Sequence, residues 1–206
     1  MKKTIGIFVL LVASVFVFPT WVVANISPDK LVEETVQEVI DIINEDEAIK
    51  SGDKEKVLDL VETKIIPHFD FTRMTRLAMG KNWRGANAEQ QTVLVEEFRT
   101  LLVRTYSNTL TRYSDETISV TPIADIGDAT ESMVRTQVIQ GQGKQPVPID
   151  YKMEKQASGW KVFDVTVAGV SLVTNYRSSF NSQISRDGVD GLIRTLTSKN
   201  DSLEDK

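Results

Sequence analysis

The chain has no cysteine in 206 residues and a single histidine, His68. Without thiols there is no disulfide framework, no thiolate nucleophile and no redox switch. One imidazole is all that is available for acid–base work near neutral pH. Excess positive charge is also missing. The 24 basic residues are outnumbered by 29 acidic ones, which argues against a nucleic-acid binder with its basic face. Glycine and proline are sparse, at 11 and 6, and neither a repeat nor a low-complexity linker divides the chain. Beyond residue 18 there is no long apolar run.

The one apolar run lies at the front. Lys2 and Lys3 precede Ile5 to Phe18, and Val22-Val23-Ala24 follows. A charged, then apolar, then small-residue order is that of a secretory signal peptide. We expect residues 1–24 to be cleaved. A membrane anchor would need about 20 apolar residues, and the absence of cysteine removes a lipoprotein anchor. Cleavage takes two basic residues and no acidic ones, so the net charge moves from −5 to −7. That charge disfavours strong adhesion to anionic membrane surfaces. The remaining length buries a sufficient core without disulfides. Residues 25–197 are expected to form one exported domain, and 198–206 a polar, disordered tail.

Residue spacing then gives the elements. Ser27-Pro28-Asp29 has the cap, proline and acid of a helix start, followed by a stripe of Val32, Val36, Val39, Ile40 and Ile43. Asn44 to Glu47 reads as the solvated end of that helix. Ser51-Gly52-Asp53 starts a second helix, with Val57, Leu58, Val61 and Ile65, which stops before Pro67. A short third follows Asp70 and ends at Gly80. Asn87-Ala88-Glu89-Gln90 reads as a capping box for the longest helix, whose stripe runs from Leu94 to Tyr113. Alternation then predicts four strands: around Ile118 and Val120, across 133–138, across 147–154, and from Trp160 to Val167. A last short helix follows Asp187. Helices, a four-strand antiparallel meander and helices again define an α+β domain.

Reaction chemistry is scarce. His68 and Asp70 in PHFDF would make an oriented base, but no nucleophile stands in a recognisable motif. Gly169-Val170-Ser171-Leu172-Val173 follows a strand as a nucleophile elbow does, yet lacks the second glycine. Asp187-Gly188-Val189-Asp190-Gly191 lacks calcium-loop spacing, and Gly141-Gln142-Gly143 lacks the rest of a phosphate cradle. Neither a catalytic set nor a metal site is expected. Arg73, Arg76, Lys81 and Arg84 gather around one short helix. They are either phosphate or acidic-partner contacts or simply a solvated face.

The most telling stretch runs from Gly159 to Phe180. Phe163, Val165 and Val167 alternate on a strand. From Val170 the spacing becomes helical through Leu172, Val173, Tyr176, Phe180 and Ile184. A strand is expected to feed straight into a helix, with both apolar faces turned the same way. Methionines and aromatics around Phe69, Phe71, Met74, Met79 and Trp83 suit an irregular space. Tyr106, Tyr151 and Tyr176 also lie on apolar stripes. These patterns describe a filled core as well as a cavity.

Four blocks resemble the MlaC (toluene-tolerance) family of periplasmic phospholipid carriers. They are HFDFTRMTRLAMGKNWRGANAEQQ, FRTLLVRTYSNTL, YKMEKQASGWKVFDVTVAGVSLVTNYRSSF and GVDGLIRTL, in the family order over nearly the whole chain after the leader. Two departures stand out: Asn87-Ala88 where Thr-Pro is common, and Ala168 where an acidic residue often precedes the glycine. The resemblance implies a sheet of the nuclear-transport-factor-like cone type, with extra helices enclosing an apolar cavity. It implies glycerophospholipid as cargo, no cofactor and a monomer in the periplasm of a Gram-negative bacterium. The partners implied are an outer-membrane lipoprotein–porin complex and an inner-membrane ABC transporter with an MCE-domain subunit. On that basis the expected lining is Met74, Trp83, Phe98, Leu102, Tyr106, Val138, Val147, Ile149, Tyr151, Phe163, Val165, Val167, Leu172, Val173, Tyr176 and Phe180. The alternative is a small-molecule enzyme on the same fold, with Asp70 or His68 as base.

Overall fold

The computed structural model describes residues 26–110, 116–124, 126–141 and 143–204. The expected leader, Tyr113 and Gln142 lie outside these residues. Helix α1 (Pro28–Glu45) begins at the expected proline and first-turn acid. Asp29, almost fully buried, accepts the Ile123 N–H at 3.1 Å and so ties the helix start to a loop far along the chain. Burial pushes its carboxyl up, but hydrogen bonds from Ser27, from the Ile123 amide and from nearby backbone outweigh this and hold it below the usual range.

Asp46 accepts the amides of Ala48 and Ile49 at 2.8 and 3.2 Å and starts a short helix, α2 (Glu47–Lys50). Asn44, Glu45 and Glu47 are exposed around the end of α1 as expected, and the cap at Asp46 leads the chain on so that Ile49 is buried against Ile43, Val57 and Leu60. Helix α3 (Lys54–Leu60) is capped by Asp53 and relaxes into a π turn and a 3₁₀ turn that end at His68. Helix α4 (Phe71–Met79) stops at Gly80, whose φ of 55° lies in the left-handed region open to glycine. The capping box of α5 (Ala88–Leu110) is reciprocal. Asn87 donates its amide to Gln90 Oε1 at 3.0 Å, and Gln90 donates its amide to Asn87 Oδ1 at 2.9 Å.

The sheet has five strands, not four: β1 (Thr117–Val120), β2 (Glu131–Ile139), β3 (Val147–Gln156), β4 (Gly159–Val167) and β5 (Val170–Ser171). Each pairs antiparallel with the next. The extra strand stands where a direct strand-to-helix passage was expected. Ala168 and Gly169, at φ 50° and 83°, form a two-residue turn that pairs Val167 with Val170. Positive φ at both central positions is the geometry whose twist suits a hairpin. Glycine takes it freely, whereas an alanine there carries a left-handed cost of about 1–2 kcal/mol. Ala168→Asn is therefore expected to raise unfolding stability by about 1 kcal/mol. Urea denaturation checks it, and an unmoved midpoint would show that the turn is unstrained.

Helix α6 (Leu172–Glu204) closes the chain and is interrupted at Gly188 (φ 70°, ψ −175°). The expected separate last helix is its second half. The expected disordered tail is corrected, because the helix continues through Glu204. Asn200 is buried and donates to Glu97 O and Oε2 at 3.0 and 2.6 Å. The Arg104 guanidinium donates to Asn200 O at 2.6 Å. These partners lie on α5, so local polarity could not reveal them.

Packing makes two layers. Helices α4, α5 and α6 enclose a core of Met74, Met79, Leu94, Phe98, Phe180 and Leu192. Helix α1 lays Val32 on one face of the sheet, against Val134, Met153, Trp160, Val162 and Val165.

Candidate functional site

Strand register defines the apolar face of the sheet. Val138 lies opposite Val147, Thr136 opposite Ile149 and Val134 opposite Tyr151. Across the next ladder Ile149 faces Val167 and Tyr151 faces Val165. Successive side chains alternate faces, so these residues share one side. Val134, Val138 and Val165 are buried there, whereas Val147, Ile149, Tyr151 and Val167 remain half-buried. Thr136, the polar residue in the row, donates its hydroxyl to Ile149 O at 2.8 Å and leaves the face chemically apolar. The roof over this face comes from α1, whose Leu31, Val32 and Val36 pack there with Leu172.

One expectation about this face is corrected. Phe163 does not share a side with Val165 and Val167. The register shifts between Lys152 and Met153, and Phe163 is the extra residue of that bulge. A bulge resets alternation. It turns Val162 and Trp160 onto the apolar face and sends Phe163 into the helical core. The Arg73 guanidinium lies 3.6 Å from the Phe163 ring centroid and ion-pairs with Glu131 and with Glu154, the latter at 3.0 Å. Arg73 is thereby committed to the sheet.

The sixteen expected lining residues thus divide. Ile149, Tyr151, Val165, Val167 and Leu172 lie together in the sheet-face layer, with Val138 and Val147 in the same row. Met74, Trp83, Phe98, Leu102, Phe163, Val173, Tyr176 and Phe180 lie together in or against the helical core. Met74 and Phe98 are fully buried there. The Phe98 ring meets Tyr176 and Phe180 edge-on, at centroid distances of 5.0 and 5.1 Å. Burial, reinforced by the neighbouring Tyr106 phenol, pushes the Tyr176 hydroxyl up to about 12. Tyr106 itself is exposed. The expected lining omits the roof residues Leu31, Val32 and Val36, although the i, i+4 pair Val32 and Val36 stands in the apolar stripe of α1.

The tempting reaction residues are occupied. Asp70 accepts the Arg73 amide at 2.8 Å through Oδ1 and the Gln156 side chain at 2.7 Å through Oδ2. It is the cap of α4 and a strut to β3. Ser171 donates to the buried Asp164 carboxylate, at 2.8 Å to Oδ2, and accepts the Thr174 amide at 3.1 Å. Asp164 also accepts the Val173 amide at 3.2 Å. Together they cap α6. Ser171→Ala is expected to cost about 1 kcal/mol of stability, read as a lower urea midpoint. An unmoved midpoint would show that the cap does not hold the start of α6. Among the described residues no cluster of His, Asp or Glu is placed to hold a metal.

Burial lowers the His68 pKa below its ordinary value, helped by nearby Lys161 and opposed by Glu38. A depressed folded-state value means the neutral ring favours the fold. This contribution is complete above the unfolded value near 6.5 and is lost as pH falls through the folded value. Melting temperature is therefore expected to fall less below neutral pH in His68→Gln than in wild type. Parallel curves would contradict this.

The described fold is an antiparallel sheet roofed by helices, of the α+β class, with one apolar sheet face. The chain belongs to the MlaC family, whose model, described as MlaC protein, matches residues 33–198. It is 24% identical over 195 residues to the intermembrane phospholipid transport system binding protein MlaC of Haemophilus influenzae, covering 94% of this chain and 90% of that one. It is 27% identical over 186 residues to the toluene tolerance protein ttg2D of Pseudomonas putida, covering 90% and 84%. A phospholipid-binding protein from Ralstonia solanacearum, solved in complex with a phospholipid, superposes with a TM-score of 0.79 at 36% identity. That match covers 87% of this chain and 99% of that one.

Proposed function

We propose that this protein is a non-enzymatic carrier of glycerophospholipid, working in the periplasm after cleavage of residues 1–24. In this reading the acyl chains lie along Val147, Ile149, Tyr151, Val167 and Leu172, between the sheet and its helical roof, while the headgroup stays near solvent. The sheet serves as the wall of a cone-type fold with an apolar cavity. The carrier takes lipid to and from an outer-membrane lipoprotein–porin complex and an inner-membrane ABC transporter with an MCE-domain subunit, and so helps keep the outer membrane asymmetric. The observation that supports it most is the half-buried apolar row on β3, set beside a 36% identical relative solved with a phospholipid.

The energetics suit a carrier. Burying a methylene is worth about 0.8 kcal/mol, so two chains of roughly 16 carbons represent a nominal gain above 20 kcal/mol. Lipid held that way does not escape into water on a useful timescale, and release is triggered by docking to a partner. The test is transfer of a fluorescent phospholipid from donor to acceptor vesicles by the purified protein. We expect transfer to persist in the His68→Ala, Asp70→Ala double variant, whereas a requirement for either side chain would favour the enzymatic alternative.

A further inference from the structure

On the helical side of the molecule, a cleft of about 490 Å³ opens between the end of α4, the turn after it and the first half of α6. Arg76, Lys81, Arg84 and Arg177 line it together with Leu77, Gly80, Trp83 and Asn181, and no carboxylate does. Four cations facing one concavity are unusual in a chain of net charge −5. Most cations of the described residues that lie beside acids are paired with them, as are Lys56, Lys64, Arg73 and Arg99. Among the described residues the side chains of Arg76, Lys81 and Arg84 have no ion-pair partner.

The cleft is also built. Arg177, half-buried, donates its Nε–H to Leu77 O at 2.8 Å, which fixes the guanidinium plane and leaves its two terminal amino groups for another acceptor. Asn82 donates to Asn181 at 2.7 Å, locking the turn onto α6. Gly80 has positive φ and forms an open floor, where an added Cβ would approach nothing closer than Arg177 Cδ at 3.9 Å.

We propose that this cleft binds a phosphate group. A planar guanidinium held by one edge presents a fork matched to two oxygens of a tetrahedral oxyanion. Four cations match a group bearing close to two negative charges, as a phosphate monoester does near neutral pH, better than a single carboxylate. The volume is that of a small-ligand site, within the usual range of about 300–1,000 Å³. The phosphate belongs either to a small soluble anion or to a phosphate-bearing lipid at a membrane surface. The site is lined by none of the residues of the apolar sheet face, and it stands or falls independently of the carrier reading.

The test uses the indole N–H signals of the purified protein. Trp83 lines the cleft, whereas Trp160 is buried in the sheet layer and serves as an internal reference. Inorganic phosphate, titrated at constant ionic strength, is expected to move the Trp83 signal saturably and leave Trp160 in place. The Lys81→Glu, Arg84→Glu variant should bind at least tenfold more weakly, with an unchanged circular dichroism spectrum. A second arm uses phosphatidylcholine vesicles with and without phosphatidic acid. Response to phosphate alone identifies a soluble ligand, and response only to the phosphatidic acid vesicles identifies a lipid source. No saturable movement in either arm, or an equal response from the variant, overturns the proposal. A response to a polyglutamate peptide and not to phosphate in either form would also overturn it and make the cleft a protein-docking surface.

Discussion

Ile149→Trp is expected to yield a folded protein that retains no phospholipid. Ile149 sits near the start of β3, between Thr136 on β2 and Val167 on β4, in the centre of the proposed acyl wall. It is half-buried and packs against the sheet-face cluster, so an indole there enters the layer that the acyl chains are proposed to occupy. Each methylene that the indole shuts out of the wall forfeits about 0.8 kcal/mol, and every 1.4 kcal/mol lost weakens binding about tenfold, so exclusion of both chains empties the site. Met133→Trp is the control. Met133 lies opposite Lys152, hence on the other face of the sheet, and is exposed. It should bind and transfer lipid as the wild type does. If Ile149→Trp retains lipid, the cargo lies elsewhere.

Phe98→Ala is expected to have the largest effect on stability, a loss of about 3–5 kcal/mol. Phe98 is fully buried at the junction of α5 and α6, where its ring meets Tyr176 and Phe180 edge-on. Such contacts add about 0.5–1.5 kcal/mol beyond area burial, and the three rings hold the helical layer together. Domains commonly have only about 5–15 kcal/mol in hand, so the variant should unfold at far lower denaturant. Phe98→Leu keeps most of the volume and should remain folded with lipid retention intact. A Phe98→Ala protein of normal stability that had lost its lipid would move Phe98 from the core to the cargo wall.

Local chemistry was legible in the sequence, and distant partnership was not. The capping box at Asn87 and Gln90, the stop at Gly80 and the alternation of Val147, Ile149 and Tyr151 depend on neighbours a few residues away. The structure has each of them where spacing and side-chain type put them. The bulge at Phe163 depends on how β4 meets β3, and alternation alone treats it as one more step of the strand. The hairpin at Ala168-Gly169 carries half the usual signal, because alanine replaces the residue that favours positive φ. The helix through Asn200 is held by Glu97 and Arg104, about a hundred residues earlier. Arg73 was grouped with Arg76, Lys81 and Arg84 by position, but Glu131 and Glu154 on the sheet draw it away. Arg177 took its place in the cleft, and its i, i+4 spacing to Asn181 on α6 was the available sign.

Native mass spectrometry of the protein as purified tests the central claim most directly. The carrier reading predicts a species heavier than the polypeptide by the mass of a glycerophospholipid, released by organic extraction and missing from Ile149→Trp. A spectrum of bare polypeptide alone, the same for wild type and for Ile149→Trp, would contradict it.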